Sequence, residues 1–143
     1  MDTELLNMDA PDILKNRGLK VTKIRVAILE AMGESRQALP YSELQKKLSI
    51  FDRTTLYRTL LVMIDKGFIH KALEENGDTY YALCSSCTSK VHNHNHVHFK
   101  CKECSSVQCL YLQNEIGLSI PEISIETIEI TAKGTCSLCR LTN

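Results

Sequence analysis

The sequence predicts an α+β chain: an N-terminal winged helix-turn-helix followed by a small α/β domain stapled by a four-cysteine zinc site. Three observations predict it. Helix-spaced apolar segments lead into a hairpin signal over residues 11–83. All seven cysteines and all five histidines fall within residues 70–143. Two CxxC pairs, Cys101/Cys104 and Cys136/Cys139, mark the second part. We divide the chain at 1–84, a His/Cys-rich hinge at 85–98, and 99–143.

The elements follow from local chemistry. Pro11 to Arg17 reads as a short helix stopped by Gly18. Thr22 caps a second, Lys23 to Met32, with Ile24, Ala27, Ile28 and Ala31 at helical spacing and Gly33 as its end. Pro40 opens a third over Tyr41 to Leu48, and Asp52 caps a fourth over Arg53 to Lys66, closed by Gly67. That helix turns Leu56, Leu60, Met63 and Ile64 inward and leaves Arg53, Thr54, Thr55, Tyr57 and Arg58 to solvent. Phe68 to Leu73 and Thr79 to Leu83 flank the turn-rich Glu74 to Asp78, a β-hairpin signal. Helices followed by a hairpin, with Arg, Thr and Tyr leading the last helix, is the plan of a DNA-reading winged helix, because long polar side chains reach base edges and phosphates. Further along, Val107 to Tyr111 and Ile123 to Ile130 suit β-strands.

Composition limits the alternatives. With 43% hydrophobic and 24% charged residues over 143 positions, the chain is an ordinary folded protein. There is no run of about 18 apolar residues and no signal-like N-terminus, which points to a cytoplasmic protein without membrane contact. An odd cysteine count in a reducing compartment favours metal ligation over disulfides. Net charge is zero, unlike most nucleic-acid binders, yet Ile13 to Arg25 carries Lys15, Arg17, Lys20, Lys23 and Arg25 with no acid. Lys15, Lys20 and Arg25 join Arg53, Thr54, Thr55, Tyr57 and Arg58 as the candidate DNA contacts.

Two CxxC turns, each presenting two thiolates, complete a closed tetrahedral zinc site, so Cys101, Cys104, Cys136 and Cys139 are the structural zinc ligands. If the tract from His92 to His98 is extended, His92, His94, His96 and His98 share one face, and neighbouring pairs can share an ion. Imidazole with thiolate favours zinc over magnesium, calcium or manganese. His92 and His94 read equally as a solvated tract. Cys109, in an apolar strand, reads as a buried core residue or a spare ligand. A zinc deaminase would need HxE and PCxxC, which are missing, and no small organic substrate or enzymatic activity is expected.

Gly18 to Leu29, Asp52 to Ile69, His96 to Cys104 and the terminal Cys136 to Cys139 together resemble the ferric uptake regulator superfamily of metal-dependent repressors, over nearly the whole chain from residue 11. The resemblance implies a homodimer that binds double-stranded operator DNA when a sensory metal is loaded, with residues 99–143 as the dimerisation domain. Thr55 to Arg58 falls on the family's TxYR recognition motif. Iron-sensing members use ligands where this chain has Ala38 and Ala82, and a carboxylate where it has Cys109. In zinc-sensing members a cysteine ends the wing, matched here by Cys84, and His70 stands where a further ligand follows the recognition helix. The sensory set implied is His70, Cys84, His96 and His98, with Cys87 able to replace Cys84. Zinc is the expected sensory metal and control of metal-uptake genes the expected role. An iron- or peroxide-sensing regulator of the same superfamily, or a zinc ribbon without DNA contact, are the alternatives, and Fe2+ or Mn2+ are the other candidate sensory ions. The stretch from Leu110 to Ile123 is shorter than the helix the family places there.

Overall fold

The computed structural model describes residues 8–35, 37–83, 96–114, 116–126 and 128–142. Among these residues, four helices and a hairpin form the first half: α1 (Ala10–Asn16), α2 (Lys23–Ser35), β1 (Leu39–Pro40), α3 (Tyr41–Lys47), α4 (Arg53–Asp65), β2 (Ile69–Glu75) and β3 (Asp78–Leu83). The second half holds β4 (His96–Cys101), β5 (Val107–Tyr111), β6 (Thr131–Gly134) and α5 (Ser137–Thr142). The sheets run β1-β3-β2 and β5-β4-β6, with β4 antiparallel to β5 and parallel to β6. This is the expected winged helix followed by a small sheet. Because β4 begins at His96, the last three hinge residues belong to the second sheet.

The first half is built on an apolar core. Leu14, Ile28, Leu44, Leu56, Leu60, Met63, Phe68 and Ile69 are almost completely buried. Burying side chains of this size stabilises by about 1.5–3 kcal/mol each, before the entropy of ordering them. Asp52 caps α4 through its carboxylate, which accepts the Thr55 N–H at 2.9 Å and the Thr55 hydroxyl at 3.1 Å. These donors, the Thr55 N–H first, hold the Asp52 carboxyl below the usual carboxylate range. Gly67, at φ 75°, closes the helix and turns Phe68 into the core. The wing turns at Asn76 and Gly77, both at positive φ (54° and 76°), the backbone of a two-residue hairpin matched to strand twist.

Two expectations are corrected. The second helix does not end at Gly33 but runs to Ser35, whose hydroxyl donates to the Met32 carbonyl at 3.1 Å. A glycine ends a helix by taking positive φ, and Gly33 does not. The strand expected over Ile123 to Ile130 is not formed by its described residues, and the ladder starts where the Ile130 carbonyl accepts the His98 N–H at 3.0 Å. Alternating apolar residues make a strand only beside a partner, and both sides of β4 are already taken by β5 and β6. No helix occurs among the described residues of 112–130.

The halves touch along a small seam. Ala38, Ala72 and Ala82 of the first half pack with Val107 of the second, flanked by Leu73, Tyr80 and Cys109. The Ala38 N–H donates across it to the Val107 carbonyl at 2.9 Å. Ala72 lies at a bulge in β2, between the paired Lys71 and Leu73.

Candidate metal centres and nucleic-acid interface

The four cysteines assemble as expected. Cys101 ends β4 opposite Gly134, the last residue of β6, so the parallel register lays the two CxxC turns side by side. One sulfur from each cysteine lies within 4.8 Å of the others, and Cys104 and Cys136 sulfurs are 3.8 Å apart. Tetrahedral zinc with bonds of about 2.3 Å to sulfur separates its ligands by about 3.8 Å. The Cys136 N–H donates to Cys101 Sγ at 3.3 Å and Cys104 contacts the Ser106 hydroxyl at 3.2 Å. N–H groups of Cys104 and Cys136 lower the Cys101 thiol to about 6, and Ser106, hydroxyl first, lowers Cys104. Cys139, pressed against the Cys136 sulfur and desolvated, is pushed up to about 12. Crowded sulfurs with two already inclined to ionise fit a cation that takes all four as thiolates.

A second cluster spans the seam. His70 stands on β2, immediately beyond the recognition helix; His96 and His98 stand two apart on β4; Cys109 lies on β5, paired with His98. His98 Nε2 is 3.1 Å from both His70 Nε2 and His96 Nε2, and His70 Nε2 is 3.3 Å from Cys109 Sγ. His70, His98 and Cys109 donor atoms lie mutually within 4.8 Å, with His96 one contact outside that triangle. A single ring nitrogen either donates or accepts one proton, so His98 Nε2 cannot fully satisfy two ring nitrogens at once. One cation can bind them all. Burial first, then the nearby His96, holds His98 down to about 4, so its ring is neutral at neutral pH, the form that ligates. Burial alone pushes the Cys109 thiol up to about 12.

Sequence reasoning gave Cys109 mainly to the core, yet the structure puts its sulfur at this cluster. Its one sequence signal was the carboxylate expected at that position. Cys84, Cys87, His92 and His94 lie outside the described residues. Ala38 and Ala82 are buried in the seam.

The α4 face is exposed at Arg53, Thr54, Thr55, Tyr57 and Arg58. Thr55 is partly engaged by the Asp52 cap, while Tyr57 stands edge-on to Tyr41 with centroids 6.0 Å apart. Lys15 and Lys20 are exposed, and half-buried Arg25 donates to the Lys20 carbonyl at 2.7 Å. Arg17 instead donates to the Gly67 carbonyl at 2.7 Å and lies over Phe68, tying α1 to the end of α4. An open cleft of about 400 Å³ between α3 and α4 adds Gln45 and Lys46 beside Arg53. Sequence reading passed over Lys46, although it sits among polar residues one helix before the recognition helix.

Residues 16–127 match the Ferric uptake regulator family. The chain is 30% identical over 140 residues to a ferric uptake regulation protein of Staphylococcus epidermidis, covering 92% of this chain and 95% of that one. It is also 30% identical over 135 residues to the zinc uptake regulation protein of Mycobacterium tuberculosis, covering 86% and 96%. Its fold matches a zinc uptake regulator solved with zinc and DNA, at a TM-score of 0.66 and 22% identity over 99% of this chain and 98% of that one. The family's members are DNA-binding transcription regulators and not enzymes, which removes the zinc-ribbon alternative. With the reading helix, the wing and the clustered cysteines in place, the chain belongs to the ferric uptake regulator family of metal-responsive transcription regulators.

Proposed function

We propose that this regulator is a zinc-sensing repressor of metal-uptake genes, acting in the cytoplasm as a homodimer on operator DNA. The observation that carries the reading is the His70, His98 and Cys109 triangle, whose donors come from both halves of the chain. Three imidazoles and a thiolate are a borderline-soft donor set, and no carboxylate joins the cluster among the described residues, which favours zinc over Fe2+ or Mn2+. Cys101, Cys104, Cys136 and Cys139 hold the structural zinc. For the sensory ion we assign His70, His98 and Cys109, with His96 as fourth ligand after a small side-chain rotation. Cys109 thus takes the place first given to Cys84.

The consequence is positional. His70 follows α4 by a few residues, so tying it to β4 and β5 orients the reading helix against the second half. In a two-fold dimer that orientation sets whether the two α4 helices meet successive major grooves, about 34 Å apart. Exposed Leu110, Tyr111, Ile116, Leu118 and Ile123 supply the apolar face for the second copy. Arg53, Tyr57 and Arg58 then contact bases and phosphates, with Lys15, Lys20 and Lys46 on the backbone.

The test loads cobalt into the sensory site of protein that retains one zinc per chain. Thiolate-to-cobalt charge-transfer absorption is expected, lost in Cys109→Ser and kept in Cys84→Ser, together with operator binding that needs the second ion. The opposite pattern of the two variants returns the ligand role to Cys84. Operator binding restored by Fe2+ but not by trace zinc overturns the choice of metal.

A further inference from the structure

The wing of this chain carries Glu74, Glu75 and Asp78 and no basic residue from Ala72 to Leu83. A wing lying on DNA meets phosphates, which such a tip repels. Two of its three acids are engaged elsewhere. Asp78 accepts from the Ser42 N–H at 3.3 Å and from the Ser42 hydroxyl, pinning the wing to the start of α3. Glu75 pairs with Lys100 of β4, and Lys133 of β6 approaches its other oxygen at 3.8 Å. Lys100 retains only 14% side-chain exposure and lies over the Tyr80 ring, 5.6 Å from its centroid. These contacts lie beside the alanine seam, and none involves a metal ligand.

We propose that the wing tip is a clasp on the dimerisation half, in which Glu75, held by Lys100 and Lys133, positions the reading domain independently of metal and away from DNA phosphate. Ala38 and Ala82, small side chains buried against Val107, let the two sheets approach closely, and the clasp holds that approach from one side. The sensory ion then completes a closure that is already partly made. Clasp strength sets how much zinc the switch needs, because a ligand moves an equilibrium only from where the protein has placed it.

The Ala38 amide reports closure directly, since its acceptor, the Val107 carbonyl, belongs to the other half. Its hydrogen exchange is measured in full-length protein that holds structural zinc but no sensory metal, without DNA. Glu75→Gln is expected to speed that exchange about threefold to tenfold, the range of a part-buried ion pair. The zinc needed for half-maximal operator binding rises by a similar factor, with an unchanged salt dependence. Reversing the pair together with its neighbour, Glu75→Lys with Lys100→Glu and Lys133→Glu, brings the exchange rate back toward wild type. The clasp is overturned by unchanged exchange in Glu75→Gln or by a reversed pair that stays fast. It is overturned equally if Glu75→Lys tightens operator binding and steepens its salt dependence by about one phosphate contact, which would place the wing tip on DNA. A chain that fails to answer zinc would sink the proposed function and leave the exchange measurement standing.

Discussion

The two halves are held together by different chemistry. In the first, Leu14, Ile28, Leu44, Leu56, Leu60, Met63 and Phe68 make a core that excludes water by itself. In the second, the buried positions among the described residues are Cys101, Val107 and Cys136, two of them thiols of the metal cluster. A sheet of three short strands has too little apolar surface to offset the entropy of ordering it. An ion held by the four cysteines, as proposed above, would supply what burial cannot. On the proposed function, one half folds because of its amino-acid pattern and the other because an ion closes it, and the cluster of His70, His98 and Cys109 sits where the two meet.

Removing the structural ion breaks this contrast most strongly. Stripping it with a strong chelator, or substituting Cys136→Ser, is expected to abolish amide protection in β4 to β6 and operator binding while most helical circular dichroism survives. Structural zinc contributes about 10–16 kcal/mol in small zinc-folded peptides, more than such a sheet can replace. Helical signal lost in the same transition would show that the halves are one folding unit.

Leu60→Ala attacks the other half. It should lower the stability of the winged helix by about 2–5 kcal/mol in denaturant unfolding, with zinc stoichiometry unchanged. A smaller loss would mean that the core collapses around the cavity, and a change in bound zinc would couple the two sources of stability.

His98→Ala probes the junction. Because His98 contacts His70 and His96 and is paired with Cys109, its loss should weaken the sensory ion by about a hundredfold, about 2.7 kcal/mol. One zinc per chain should remain by elemental analysis. Retention of metal-dependent operator binding in this variant would detach the cluster from sensing.

The smallest effect is expected on the reading face. Arg58→Ala should cost about 1–3 kcal/mol in operator affinity by mobility shift, leaving both metals and the melting temperature in place. An equal loss in stability would make Arg58 part of the fold.

Much of this was legible in the linear chain because the signals are local. Helix caps, the Asn76–Gly77 turn and the TxYR stretch are set by neighbours a few positions apart. Each CxxC fixes two thiols on one turn, so the four-cysteine centre could be read from spacing, and only the parallel β4–β6 register was needed to join its halves. Ser35 extended a helix that Gly33 was expected to end, since glycine permits positive φ without requiring it.

Tertiary structure alone decided the rest. Cys109 looks like any small apolar residue on a strand; it becomes a candidate ligand because β5 pairs with β4 and the seam brings His70 to within 3.3 Å of its sulfur. Glu75 looks like part of a solvated turn until Lys100 and Lys133 arrive from the other sheet. The isoleucines of 123–130 alternate as a strand does, but a strand exists only beside a partner, and the places beside β4 went to β5 and β6. Local pattern determines which elements form, whereas contacts between residues far apart in the chain depend on how those elements pack, which no short window of sequence encodes.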